Sequence, residues 1–135
     1  MKAEEVQTCE ALLAVLGRLK FALSTAADAH DLTLSQLHTM YNIWHGANTM
    51  GQLAGSVHCD ASTATGMVDR LIAQDLVTRE SCESDRRTKL LSLTTKGQKI
   101  MDNIMVDLPA LCGCAQFSDD EQQTLRALLK RVAVA

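Results

Sequence analysis

Four quartets in this chain pair a hydroxyl residue with a carboxamide or carboxylate three places later: Thr33 with Gln36, Thr49 with Gln52, Thr95 with Gln98 and Ser118 with Glu121. In such a pair the hydroxyl accepts the third amide of a helix while the second side chain reaches back to the first residue's amide. Helices are therefore expected to start near residues 34, 50, 96 and 119. Upstream, Cys9, Leu12, Leu16, Leu19 and Leu23 recur at helical spacing within residues 4–27, the mark of a long amphipathic first helix. Asp60 or Ser62 can cap a further helix running to about residue 74, with Ala64, Met67, Val68 and Leu71 as its buried set. Residues 96–112 carry two apolar stripes, Ile100, Ile104, Leu108 and Leu111 beside Met101, Met105 and Cys112, and Pro109 is expected to bend that helix. The last helix presents Leu125, Leu128, Leu129 and Val132.

Only between Leu76 and Thr94 does the period change. Residues 76–80 and 89–93 read as two short strands, and the polar run 83–87 between them as a hairpin tip carrying Arg86 and Arg87. The expected fold class is thus mainly α with a small β-wing. With 47% hydrophobic residues, 3% aromatic residues and one proline in 135 residues, disorder and low-complexity sequence are excluded, and the length suits a single domain.

The net charge of −3 conceals an uneven distribution. Residues 61–99 sum to +2 and the remainder to −5, so an acidic body carries a locally basic segment. The five cysteines are odd in number, no apolar run follows a basic start, and no long uncharged apolar stretch occurs. Those features fit a cytoplasmic chain with reduced thiols, and neither a membrane protein nor a secreted disulfide scaffold.

The helix from about 61 to 74 has an unusual outer face. Ser62, Thr63, Thr65 and Gly66 are small, with Asp69 and Arg70 one turn on, where a solvated face would carry long helix-forming side chains. Helix, short helix, small-faced helix and arginine-tipped hairpin follow one another in the order of a winged helix-turn-helix. Such a helix enters the major groove, and a guanidinium from the hairpin suits the negative potential of the adjacent minor groove. Thr49 and Gln52, at the start of the preceding helix, are placed to hold phosphate. Lys89, where the second strand leaves the tip, adds a basic side chain to the candidate DNA-binding set.

Two runs, residues 60–71 continuing through 75–79, and residues 84–97 from Ser84-Asp85-Arg86-Arg87 to Leu93-Thr94-Thr95-Lys96-Gly97, resemble the recognition helix and wing of the MarR family of bacterial transcriptional regulators. Leu32-Thr33-Leu34-Ser35-Gln36 is similar to the start of that family's second helix. The resemblance implies one domain over 1–135, with about 34–96 as the winged helix-turn-helix and about 1–31 and 97–135 as dimerisation helices. It further implies a homodimer reading a pseudo-palindromic double-stranded DNA operator, with half-sites about 34–36 Å apart, and release by a small-molecule effector. By position it places Ser62, Thr63, Thr65, Gly66 and Arg70 at the major groove and Arg86 in the minor groove, with Asp85 and Arg87 bracing the wing. Many members have a large basic residue where this chain has Gly66, so a base contact available to them is missing here.

Other chemistry is sparser. Cys112-Gly113-Cys114 has the spacing of a thiol switch or soft-metal site, Cys9 lies on the first helix, and Cys59 precedes the recognition helix; all four are candidate redox residues, or else small buried hydrophobes. In the family's organic-peroxide-sensing branch the reactive cysteine falls where this chain has Lys20. His38 and His45 lack the three- or four-residue spacing of helical metal ligands, so no metal or cofactor is expected. No nucleophile elbow, phosphate loop or catalytic carboxylate pair is present, and no enzyme is expected. Two alternatives to an effector-released repressor stand: a redox- or metal-responsive regulator using Cys9, Cys112 and Cys114, and a winged-helix protein-interaction module without DNA binding.

Overall fold

A computed structural model describes residues 2–134 other than Cys82 and Arg86. In chain order it contains α1 (Ala3–Asp28), α2 (Leu34–Trp44), α3 (Met50–Ser56), α4 (Ala61–Ala73), β1 (Val77–Ser81), β2 (Lys89–Leu93), α5 (Thr95–Leu111), a short 3-10 turn (Cys114–Gln116) and α6 (Asp119–Ala133). Residues 23–105 form one compact unit, and residues 1–22 with 106–135 form another.

The unit of residues 23–105 owns the core. Leu37, Met40 and Ile43 of α2, Leu53 of α3, Val68 and Leu71 of α4, Val77 and Leu91 of the hairpin, and Met101 and Ile104 of α5 are packed into one buried cluster. The spacing of Ala64, Val68 and Leu71 is what buries one face of α4; Met67, expected among them, is only half-buried. β1 and β2 pair antiparallel from Val77 opposite Leu93 to Ser81 opposite Lys89. Across that pair the hydroxyls of Thr78 and Ser92 lie 2.8 Å apart. The first strand begins at Val77 and not at Leu76, because the Leu76 amide closes the end of α4 by donating to Leu71 O, 2.9 Å away.

Two quartets form as expected and two do not. Thr33 with Gln36 and Ser118 with Glu121 make reciprocal capping boxes. At α3, Thr49 caps the Gln52 amide, but the Gln52 side chain takes the Asn48 amide. Asn48 and Thr49 are drawn alongside β2: Thr49 pairs with Leu90, and the Leu91 amide donates to Asn48 O at 2.8 Å. At α5 the cap is Thr94 in place of Thr95. Its hydroxyl accepts the Gly97 amide at 3.0 Å and donates to Asp75 O at 2.7 Å, while the Gln98 side chain donates to Asp102.

The other unit is built differently. None of its described residues is buried. Along α1, Leu12, Leu13, Val15, Leu16 and Phe21 are exposed, as are Leu128, Leu129 and Val132 on α6. α5 continues through Pro109 to Leu111.

Candidate nucleic-acid interface

The outer face of α4 is set by its cap. Asp60, extended at φ −75°, accepts the Thr63 amide at 2.7 Å. That bond, the Thr63 hydroxyl and then the Ser62 amide hold its carboxyl below the usual 3.8, against a small opposing desolvation. Ser62, Thr63, Thr65, Gly66 and Arg70 are all exposed. Thr65 donates its hydroxyl back to Ala61 O at 2.8 Å, so the hydroxyl is satisfied within the helix. Space beside Gly66 is open, so the absent side chain there is not demanded by packing.

The hairpin tip is organised by one carboxylate. Asp85 accepts the Arg87 amide at 3.0 Å through one oxygen and the Thr88 hydroxyl at 3.2 Å through the other, while its carbonyl takes the Thr88 amide. This Asx-type turn fixes the tip backbone and leaves Arg87 exposed. Arg86 lies outside the described residues. Lys89 is tied across the hairpin at the last strand pair before the tip, its Nζ donating to Ser81 Oγ at 2.6 Å. At the start of α3 the hydroxyl of Thr49 and the carbonyl oxygen of the Gln52 side chain are both engaged with backbone amides, which leaves the Gln52 NH₂ group to face outward partners.

Features that sequence reading passed over hold these pieces in one frame. Arg79 on β1 pairs with Asp69 on α4 at 3.1 Å, joining the hairpin to the exposed side of α4. Gln36 on α2 donates to the Gln74 side chain at 2.9 Å, and Lys96 reaches Gln74 O at 3.3 Å. Gly97 is buried against the Leu76 carbonyl, with no room for a Cβ. The run Leu93-Thr94-Thr95-Lys96-Gly97 is therefore a clasp, binding the start of α5 to the turn that ends α4. In the sequence this run belongs to the resemblance, with Thr95 the expected cap; its role as a clasp is not legible without the turn opposite it.

With α2, α3 and α4, the paired hairpin and this clasp in place, the arrangement can be compared with known proteins. A family model described as the MarR family matches residues 32–89. Residues 32–89 thus carry a MarR-family domain, and the fold around them is that of MarR family structures. Among curated relatives, the organic hydroperoxide resistance transcriptional regulator of Bacillus subtilis is 28% identical over 131 residues, covering 96% of this chain and 88% of that protein. Of solved structures, a mutant MarR from E. coli complexed with operator DNA is 26% identical with a TM-score of 0.72, covering 96% of this chain and 95% of that one. AbsC, a MarR family transcriptional regulator from Streptomyces coelicolor, matches the fold with a TM-score of 0.79 at 23% identity, over 98% and 94% of the two chains.

The cysteines are dispersed by this MarR fold. Cys9 is exposed on α1, Cys59 is half-buried next to the α4 cap, and Cys112 and Cys114 are half-buried together at the corner between α5 and α6. Lys20 is exposed. His38 and His45 are exposed, His45 stacking on Tyr41 at 5.5 Å between centroids. Among the described residues no group of three His, Cys, Asp or Glu side chains could hold a metal ion, and no helix is long and apolar enough to cross a membrane.

Proposed function

We propose that this MarR-family regulator is a cytoplasmic repressor that binds a pseudo-palindromic operator as a homodimer, α4 in the major groove and the hairpin tip in the minor groove. It acts by binding, without catalysis. The observation that carries this reading is the exposed small-residue face of α4 (Ser62, Thr63, Thr65, Gly66, Arg70) in one packed unit with an Asp85-braced hairpin tip. A small face permits close approach to base edges, and the Asp69–Arg79 pair fixes the hairpin relative to that face. In this reading Arg70, Arg86 and Arg87 supply the cationic contacts, Lys89 and the α3 start with Thr49 and Gln52 contact the backbone, and the acidic body limits binding elsewhere. The division into a DNA-reading part over about 34–96 and dimerisation helices on either side belongs to the same proposal. A small-molecule effector releases the operator by preferring a dimer whose half-site spacing no longer matches one helical turn.

The test is a fluorescence anisotropy titration of the purified protein with DNA flanking its own gene, repeated across salt concentrations. Binding is expected to weaken steeply with salt, and Arg70→Ala and Arg87→Ala each to cost about 1–3 kcal/mol. Affinity indifferent to salt and to both substitutions would favour the protein-interaction module instead.

A further inference from the structure

The corner between α5 and α6 brings two thiols into contact. Cys112 and Cys114 are free, half-buried and separated only by Gly113, whose left-handed φ of +79° folds the chain back between them. Cys112 donates to Pro109 O at 3.5 Å. That carbonyl lies in the last turn of α5, where the Gly113 amide turns instead to Ala110 O at 3.3 Å. Cys114 in turn donates its S–H to the Cys112 sulfur, a bond that raises the Cys114 thiol above its ordinary 9.0, helped by desolvation and by charge on Cys112.

A cation completes the corner. The Arg18 guanidinium of α1, in the same unit, lies over Gly113: a Cβ there would stand 3.5 Å from both terminal nitrogens and 3.6 Å from Cζ. A guanidinium over the residue that separates the two thiols places positive charge at the corner, which opposes a metal cation, and no third ligand joins them among the described residues. These features select thiol–disulfide exchange over metal binding.

We propose that Cys112 and Cys114 are a dithiol–disulfide pair oxidised by exchange with a low-molecular-weight disulfide, RSSR. The Cys112 thiolate attacks one sulfur of RSSR, forming a Cys112–S–S–R bond and expelling RS⁻, which takes up a proton. Cys114 then loses its proton, attacks the Cys112 sulfur and expels the second RS⁻, again protonated. Two cysteine thiols are oxidised to one disulfide while one RSSR is reduced to two RSH. A ring closed over a single intervening residue is strained, so the bond is readily reduced again, as a reversible switch requires. Closing it redraws the turn between α5 and α6. Its effect on operator affinity rests on the DNA-binding reading above.

The experiment incubates the full-length reduced protein with glutathione disulfide, alkylates the remaining thiols and maps the peptides by mass spectrometry. A Cys112–Cys114 link within one chain is expected. Unchanged alkylation of both thiols, or a link to Cys9 or to a second chain, would overturn the proposal. Cys114→Ser should stop at a glutathione adduct on Cys112, whereas Cys112→Ser should react at Cys114 roughly tenfold more slowly. Equal rates would overturn the assigned order of attack. Arg18→Gln should slow the Cys112 step several-fold without altering the circular dichroism spectrum; an unaltered rate removes Arg18 from the site. In a parallel anisotropy titration, the oxidised protein should bind the operator about tenfold more weakly, a difference of 1.4 kcal/mol. Linked protein that binds as tightly as reduced protein would refute the regulatory role alone. Reduced protein that does not bind at all would refute the DNA reading and leave the thiol chemistry standing.

Discussion

At the scale of single residues, Gly97 and Asp60 carry constraints that their neighbours do not. The Leu76 carbonyl fills the place of a Cβ at Gly97, and it is backbone, held by the Thr94 amide at 3.0 Å. Gly97→Ala must therefore move α5 away from the turn that ends α4. Overpacking of that kind costs about 1–3 kcal/mol, and urea denaturation should show a midpoint lowered accordingly with little change in slope. Asp60 tells on pH. Its carboxyl is held below the usual 3.8 in the folded chain, so its contribution to stability is complete above that value and is lost as pH falls through the lower folded value. Asn caps helices as well as Asp does but does not titrate. In thermal melts between about pH 5 and pH 2, Asp60→Asn should lose stability less steeply than the parent protein. Glu121, drawn down by the Ser118 amide and hydroxyl, adds to the same acid limb.

At the scale of elements, the wing depends on a turn more than on its strands. Two five-residue strands make a marginal hairpin, and this one is anchored by its register against Asn48–Thr49 and by the Asp85 turn at its far end. Asp85→Ala removes both carboxylate bonds at an exposed site. The melting temperature is expected to move little, while operator affinity falls severalfold through loosened tip arginines, a separation that melting curves and anisotropy resolve together. These elements also show how far sequence reaches. Helix starts at Leu34, Met50 and Asp119 were legible because capping is local: the hydroxyl, the amide and the third residue all lie in one turn. The cap of α5 slipped by one residue because Thr94 and Thr95 are equivalent locally. What separates them is the Asp75 carbonyl 19 residues upstream, which only folding brings to Thr94. The same limit hid the Asn48–Thr49 bridge, too short for any alternating pattern, and the Asp69–Arg79 pair, ten positions apart on different elements. The exposed face of α4 was legible because its small side chains break the composition of an ordinary helix surface.

At the scale of the whole molecule, the two units differ in kind. Every buried residue described belongs to residues 23–105, whereas α6 and the first part of α1 expose leucines and valines at core spacing. Isolated surface leucines are ordinary, but two helices that leave their apolar stripes open are where the proposed homodimer would join. Leu16→Glu with Leu128→Glu is expected to yield monomers by light scattering. The parent protein's melting temperature should rise with its concentration, as it does when association and stability are linked. The apolar stripes were visible in sequence; that they stay uncovered within one chain was not, because periodicity tells which face is buried and not by whom.

On the reading as a homodimeric repressor, a unit none of whose described residues is buried ties repression to abundance. If chains are whole only in pairs, halving the number of copies in a cell removes more than half of the competent repressor, and the unpaired chains present open apolar helices to proteases. The controlled genes would then respond to dilution during growth and to bursts of synthesis more sharply than to a repressor that folds alone, before any effector or oxidant arrives.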